Sequence, residues 1–139
     1  LHKVRTILDQ KINVLIADHQ KGSRRGLKAL LGFSPFINQI WEAKNGEAAI
    51  KVIGEVKPDL VILDVQMPVI GGLNVARWIR HHYPEIKIII LTMYPDYEQE
   101  AMAAGADRFL VKGREDYSIQ DEILSLFPSG SGVMNGCSD

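Results

Sequence analysis

Four apolar residues in succession, Leu60-Val61-Ile62-Leu63, run directly into a carboxylate, Asp64. An apolar run this short, without polar alternation, suits a strand covered on both faces, as in a parallel sheet. Open parallel sheets bind ligands outside the carboxyl ends of their strands, which is where Asp64 would stand. Met67-Pro68 and Gly71-Gly72 then interrupt regular pairing and permit a tight path into a new helix. An aspartate can instead cap a helix, but Asp64 lies too far from the helix expected after Gly72. Asp64 is therefore a candidate site residue.

The remaining segments repeat this alternation. Asn13 to Ala17 reads as a buried strand ending at Asp18-His19. From Ser23 to Leu31, Leu27, Leu30 and Leu31 fall at helical spacing, with Arg24, Arg25 and Lys28 facing away. Ile37 to Glu42 is a second strand, and Glu47 to Gly54 a second helix stopped before Pro58. The third strand is Leu60 to Leu63. Leu73, Val75, Ala76, Trp78 and Ile79 mark a helix ending before Pro84. Ile86 to Leu91 is a fourth strand closing on Thr92, and Tyr97 to Ala104 a helix that Gly105 stops. Arg108 to Val111 is a fifth strand ending at Lys112, followed by a last helix over Tyr117 to Phe127. Five strands alternating with five helices imply an α/β fold, a parallel sheet with right-handed crossovers and helices on both faces.

The chain divides into an N-terminal extension (1–11), one domain (12–127) and a tail of linker composition (128–139). Its 139 residues suffice for one sizeable core. A formal charge of −1 argues against a nucleic-acid surface or a membrane patch. The single cysteine, Cys137, excludes an intrachain disulfide. No apolar run approaches a membrane span and no secretory signal is visible, so a reducing, cytoplasmic setting is expected. Starting at Leu1, the sequence reads as a processed product or an excised piece.

Chemistry-bearing residues end the apolar strands: Asp18-His19 the first, Asp64 the third, Thr92 the fourth and Lys112 the fifth. In a parallel sheet these ends share one edge, so the side chains can converge. A carboxylate attacking a phosphoryl donor needs its charge tamed and the transferring oxygens held. Magnesium, a lysine ammonium and a hydroxyl donor would supply that. Each residue alone is weak evidence, since a strand-end lysine or threonine is commonly just solvated; their joint order is stronger. Other features carry less. His81-His82 suit a solvated helix end. Trp41 and Trp78 suit packing, and Met67, Met93 and Met102 suit gap-filling near the site. Gly22 to Arg25 is too short for a phosphate loop.

Asp64 in Leu-Asp-Val-Gln-Met-Pro, Gly71-Gly72-Leu73, Thr92 in Ile-Leu-Thr-Met-Tyr, Ala104-Gly105-Ala106 and Phe109-Leu110-Val111-Lys112 carry a resemblance. The chain resembles the receiver domain of two-component response regulators over nearly all of residues 12 to 127. Asp18-His19, Leu91-Thr92-Met93 and Lys112-Gly113 resemble receivers that precede helix-turn-helix transcription factors. The resemblance implies a flavodoxin-like (βα)5 three-layer sandwich with strand order 2-1-3-4-5. It implies that Asp64 accepts a phosphoryl group from a sensor histidine kinase, with Mg²⁺ held by Asp64, Asp18 and the Gln66 backbone carbonyl. Thr92 and Lys112 would contact the phosphoryl oxygens, and Phe109 matches the aromatic switch position. Phosphorylation would add about one to two negative charges, reshape the face around the fourth helix, fifth strand and fifth helix, and let it dimerise or dock an effector. The expected partners are a kinase, a second copy and a C-terminal DNA-binding domain, with no membrane. Such a domain is no enzyme beyond its own phosphoryl transfer and dephosphorylation.

The chain departs from the family where two adjacent acids are usual and Asp18-His19 stands. Read without gaps, His19 replaces the acid that ligates Mg²⁺ and Asp18 acts through water. Shifted by one, Asp18 is the ligand and Ala17 replaces the first acid. Either way one carboxylate is missing, and imidazole is a poor Mg²⁺ ligand, so weakened binding and slower phosphorylation are expected. Gly113 follows Lys112 where many receivers have proline, so no cis-proline bond is expected there. A competing reading is a pseudo-receiver, an interaction module without regulated phosphorylation. A flavin-binding domain on the same fold is poorly supported, because the Asp64 loop offers a carboxylate where a phosphate cradle is needed.

Overall fold

The computed structural model describes residues 11–114 and 116–127. Most of the N-terminal extension (1–10) and the tail from 128 lie outside the described residues. In chain order the elements are β1 (Ile12–Ala17), α1 (Lys21–Leu31), β2 (Ile37–Ala43), α2 (Gly46–Val56) and β3 (Leu60–Leu63). They continue with α3 (Gly72–His82), β4 (Lys87–Thr92), α4 (Glu98–Ala103), β5 (Arg108–Val111) and α5 (Ile119–Leu126). All neighbouring strands pair in parallel, in the order β2-β1-β3-β4-β5. This is the flavodoxin-like order that the resemblance implies.

Alternate strand residues feed two separate cores, as the two-residue period of a strand requires. Leu15, Ala17, Val61, Leu63, Ile88 and Ile90 pack with Ala49 and Ile53 of α2, Val75 and Ile79 of α3, and Ala101 of α4. Val14, Ile16, Leu60, Ile62 and Ile89 pack on the opposite face with Leu31 of α1 and Ile119, Ile123 and Leu126 of α5. All four residues of β3 are buried, which explains why this strand shows no polar alternation. Trp41 and Trp78 are partly buried against the first of these cores, as packing residues.

Element ends differ from the sequence reading for local reasons. Helix α2 runs past Gly54, where there is open space, and closes on Lys57 in the left-handed region (φ 51°), whose N–H bonds Ile53 O at 2.9 Å. Helix α5 starts at Ile119 because the Ser118 hydroxyl caps it, accepting from Asp121 N at 3.3 Å. A 3₁₀ turn over Pro95–Tyr97 precedes the short α4. Leu30 is exposed, not buried: it sits about 100° around the helix from Leu31, which takes the core position.

The loop from β3 to α3 contains a strained residue. Val69 has φ 69° and is exposed, inside a three-residue turn closed by Ile70 N to Pro68 O at 2.8 Å. A β-branched side chain in this region is crowded against its own backbone. Val69→Gly is therefore expected to stabilise the domain by about 1 kcal/mol, read as a higher urea midpoint with an unchanged slope. An unchanged or lower midpoint would show that the turn holds no such strain.

Candidate functional site

Strand register brings the polar strand ends together. Ala17 pairs with Leu63, so Asp18 and Asp64 follow side by side, and Asp64 N bonds Ala17 O at 3.0 Å. Thr92 pairs with Val111, and Lys112 N bonds Thr92 O at 2.7 Å. The parallel sheet thus delivers Asp18, Asp64, Thr92 and Lys112 to one edge.

Lys112 is the hub. Its ammonium donates to Asp18 Oδ2 at 2.7 Å and to Asp64 Oδ2 at 2.8 Å. The three side chains are only 16, 7 and 12% exposed, so water screens these ion pairs weakly. Burial pushes the ammonium's pKa down, but the hydrogen bonds and charges of Asp18 and Asp64 outweigh it and hold Lys112 above its ordinary value.

The two carboxylates are engaged differently. Asp18 Oδ1 accepts from Gln20 N at 2.9 Å, and Oδ2 accepts from the Ser23 hydroxyl at 2.8 Å as well as from Lys112. Asp64 Oδ1 is buried with no hydrogen-bond partner among the described residues. An acceptor in that position is costly unless a cation, a donor or water meets it. Asp64 lines a cavity of about 410 Å³ together with His19, Gln66, Met67, Met93 and Lys112. Hard divalent cations take carboxylate and carbonyl oxygens and keep several waters, so this donor set is compatible with Mg²⁺. Among the described residues, no three His, Cys, Asp or Glu side chains cluster to hold a metal.

Other expected residues fall around this centre. His19 is exposed at the cavity. Thr92 is fully buried, and its hydroxyl accepts from Tyr94 N at 3.4 Å, a long bond. Phe109 is partly buried against the core under α3 and α4 and borders a separate groove with Pro95, Glu98 and Tyr117. Met67 fills space, whereas Met93 and Met102 are largely exposed, because they lie on the solvent side of β4's end and of α4. Gly113 adopts φ 83°, and no peptide bond among the described residues is cis.

Arg24 corrects the expectation of a solvent-facing side chain. It donates to Glu42 Oε1 at 2.8 Å and to the Asp18 carbonyl at 2.8 Å, tying α1 to β2 and to the Asp18 turn. An arginine on the polar face of a helix does not reveal which strand it will meet, so sequence periodicity missed it. Ser23 was missed likewise; a hydroxyl in the first turn after a strand-end acid is the signal available. Burial pushes the Glu42 carboxyl up, but hydrogen bonds and charges from Arg24 and Lys28 hold it below its ordinary value of 4.5. A lowered folded pKa stabilises above the unfolded value and loses that contribution as pH falls through the folded value. Glu42→Gln is thus expected to cost about 1 kcal/mol at neutral pH, with the deficit closing below about pH 4.5 in thermal melts. A deficit independent of pH would refute the charge argument.

Comparison with known proteins bears on this arrangement. The family model described as the response regulator receiver domain matches residues 14–124. The uncharacterized transcriptional regulatory protein YvfU of Bacillus subtilis is 37% identical over 114 residues, covering 81% of this chain and 57% of that protein. Response regulator TrrA from Thermotoga maritima, solved in complex with Mg²⁺-BeF, superposes with a TM-score of 0.75 at 35% identity, covering 83% of this chain and 98% of that one. A DNA-binding response regulator of the LuxR family from Staphylococcus aureus gives 0.74 at 30% identity, covering 86 and 98%. The chain spans about half the length of the curated relatives it matches.

Proposed function

Because this chain belongs to the response regulator receiver family, we propose that Asp64 is its phospho-acceptor and that phosphorylation switches an output surface. The family is one of signalling domains, not of classical enzymes, and the matched relatives include transcriptional regulators. The observation that carries the assignment is the split engagement of Asp64, which lines the cavity: Lys112 holds Oδ2, and Oδ1 is buried with no hydrogen-bond partner among the described residues.

In this reading an Asp64 carboxylate oxygen attacks the phosphorus of a kinase phosphohistidine. A P–O bond forms as the P–N bond breaks, and the electron pair returns to the imidazole, which takes a proton from water. Lys112 offsets the negative charge gathering on the phosphoryl oxygens. Asp64 Oδ1 and the Gln66 carbonyl would hold Mg²⁺, with Asp18 acting through water because its oxygens are already engaged. Bound there, Mg²⁺ would supply positive charge against the repulsion between carboxylate and phosphoryl group. With His19 in place of a second acid, weaker Mg²⁺ binding and slower phosphorylation follow.

Thr92 would release its long bond to Tyr94 N and bond a phosphoryl oxygen, moving towards Asp64. Phe109 would then turn into the space vacated, altering the groove between α4, β5 and α5. The partners are a sensor histidine kinase, a second copy through that groove, and a DNA-binding domain joined through the C-terminal tail. Among the described residues no helix is long and apolar enough to cross a membrane, and a cytoplasmic setting suits a kinase-coupled domain.

Beryllofluoride, a phosphoryl mimic, tests this assignment. Titrated with Mg²⁺, it is expected to produce saturable amide NMR shifts at Asp64, Thr92, Phe109 and Lys112, all lost in Asp64→Ala. A folded protein that fails to respond at high Mg²⁺ would sink the assignment and leave an interaction module without regulated phosphorylation.

A further inference from the structure

We propose that Ser23, in the first turn of α1, is a positioning residue for the chemistry of Asp64. Its hydroxyl fixes the Asp18 carboxylate, which in turn fixes the Lys112 ammonium against Asp64. The role rests on the phospho-acceptor reading for its consequence, whereas its geometry stands apart from that reading.

The backbone of Asp18 has little freedom. Its N–H bonds Ala43 O at 3.0 Å, and its carbonyl accepts from Arg24 Nη1 at 2.8 Å. Arg24 is itself held by Glu42 Oε1 at 2.8 Å. What remains is rotation of the carboxylate. Gln20 N holds Oδ1 at 2.9 Å, and one such bond leaves a hinge. The Ser23 hydroxyl closes the hinge by donating to Oδ2 at 2.8 Å. Asp18 is buried, so water competes weakly for that oxygen.

The same Oδ2 accepts from Lys112 at 2.7 Å, and Lys112 also donates to Asp64 Oδ2 at 2.8 Å. A lysine ammonium is a point charge on a flexible stem, so the acceptors around it decide where it sits. Of its two carboxylates, Asp64 is the one that phosphorylation alters. Asp18 is the acceptor that must keep its place, and Ser23 keeps it there. A serine in the first turn of a helix has a plainer use, a bond to the nearby backbone. Here the hydroxyl donates instead to the Asp18 side chain.

Ser23→Ala, Ser23→Thr and Ser23→Ala on an Asp18→Ala background test the role. Two signals are read in the full chain. One is the ¹⁵Nζ resonance of Lys112, detected through its Cε protons and assigned by its loss in Lys112→Met. The other is the beryllofluoride midpoint at fixed Mg²⁺. In Ser23→Ala the resonance is expected to shift. The midpoint should rise about tenfold, the order of effect of removing a bond that orients a site group. Ser23→Thr keeps the hydroxyl, and its methyl has room in a groove of about 490 Å³ that Ser23 borders with Gly26 and Leu27. Both signals should then return to wild-type values. With Asp18→Ala in place, Ser23→Ala should change neither signal further, because the serine acts only through Asp18. Lys28 of α1, paired with Glu42 Oε2 at 3.4 Å, is the control for a helix-wide disturbance. An unshifted Lys112 resonance, a Lys28 resonance that moves as far, or a loss that Ser23→Thr does not restore would overturn the proposal. So would a further loss on the Asp18→Ala background.

The two readings fail separately. If Ser23→Ala shifts the Lys112 resonance but the wild-type protein ignores beryllofluoride, the phospho-acceptor reading falls and the hold of Ser23 on Lys112 stands. If wild type and Ser23→Ala respond alike to beryllofluoride, the positioning role falls alone.

Discussion

Lys112→Ala is expected to destabilise the domain by about 2–4 kcal/mol at neutral pH, because it strands two buried carboxylates without their shared cation. Full burial would place the effect at the top of that range; the 16% exposure of the lysine side chain admits some screening. The lysine's folded pKa lies above its ordinary 10.5, so its stabilisation is complete below that value and is lost only as pH rises through the folded one. The contribution is therefore fully present at neutral pH. In the variant, Asp18 and Asp64 keep like charges side by side with no cation between them. Urea denaturation at neutral pH measures the effect. Lys112→Met separates charge from packing, since it keeps the stem and loses the ammonium. Adding Asp64→Asn should recover part of the loss, as coupled neighbours do. A Lys112→Ala protein as stable as wild type would mean that the ion pairs contribute nothing net.

Gly72→Ala is expected to cost a similar amount for a steric reason. Gly72 opens α3, and its N–H bonds Val65 O at 2.8 Å. A methyl group there would overlap the Asp64 carbonyl oxygen, a backbone atom that cannot swing aside. The helix start or the end of β3 must withdraw, at about 2–4 kcal/mol. Since the displaced residue is Asp64, the beryllofluoride response should weaken along with stability. Gly54→Ala is the control. An added methyl there meets open space within α2, and the substitution should stabilise by about 0.5–1 kcal/mol through helix propensity. If Gly72→Ala were as benign as Gly54→Ala, the close approach to Asp64 would be refuted.

Much of the fold was legible before any coordinates because it depends on local periodicity. Leu60–Leu63 reads as a doubly covered strand from four letters, and the structure buries all four. The alternation of such runs with helical spacing specifies a parallel sheet. A parallel sheet in turn implies that residues ending strands share an edge, so Asp18, Asp64, Thr92 and Lys112 could be grouped from order alone. Periodicity failed where a side chain's partner lay far along the chain. Arg24 reads as a solvated cation until β2 brings Glu42 beside α1, 18 residues on. Arg80 of α3 likewise donates to Gly105 O at 2.6 Å and to Asp107 Oδ2 at 3.0 Å, at the entrance to β5. Leu30 reads as core until the helix's rotation gives that place to Leu31.

By itself, the sequence determined the α/β class, the identity of the edge residues and the absence of a second acid beside Asp18. These follow from residue type and spacing, which carry hydrophobic periodicity and chemical inventory directly. Tertiary structure alone decided how the edge is wired: Lys112 bridges two carboxylates, Asp18 also accepts from Gln20 and Ser23, and Asp64 keeps one buried oxygen without a hydrogen-bond partner among the described residues. The Lys112 contacts join residues 48 and 94 positions apart. No local rule reaches that far, because the geometry comes from strand register and from the depth at which each side chain leaves the sheet.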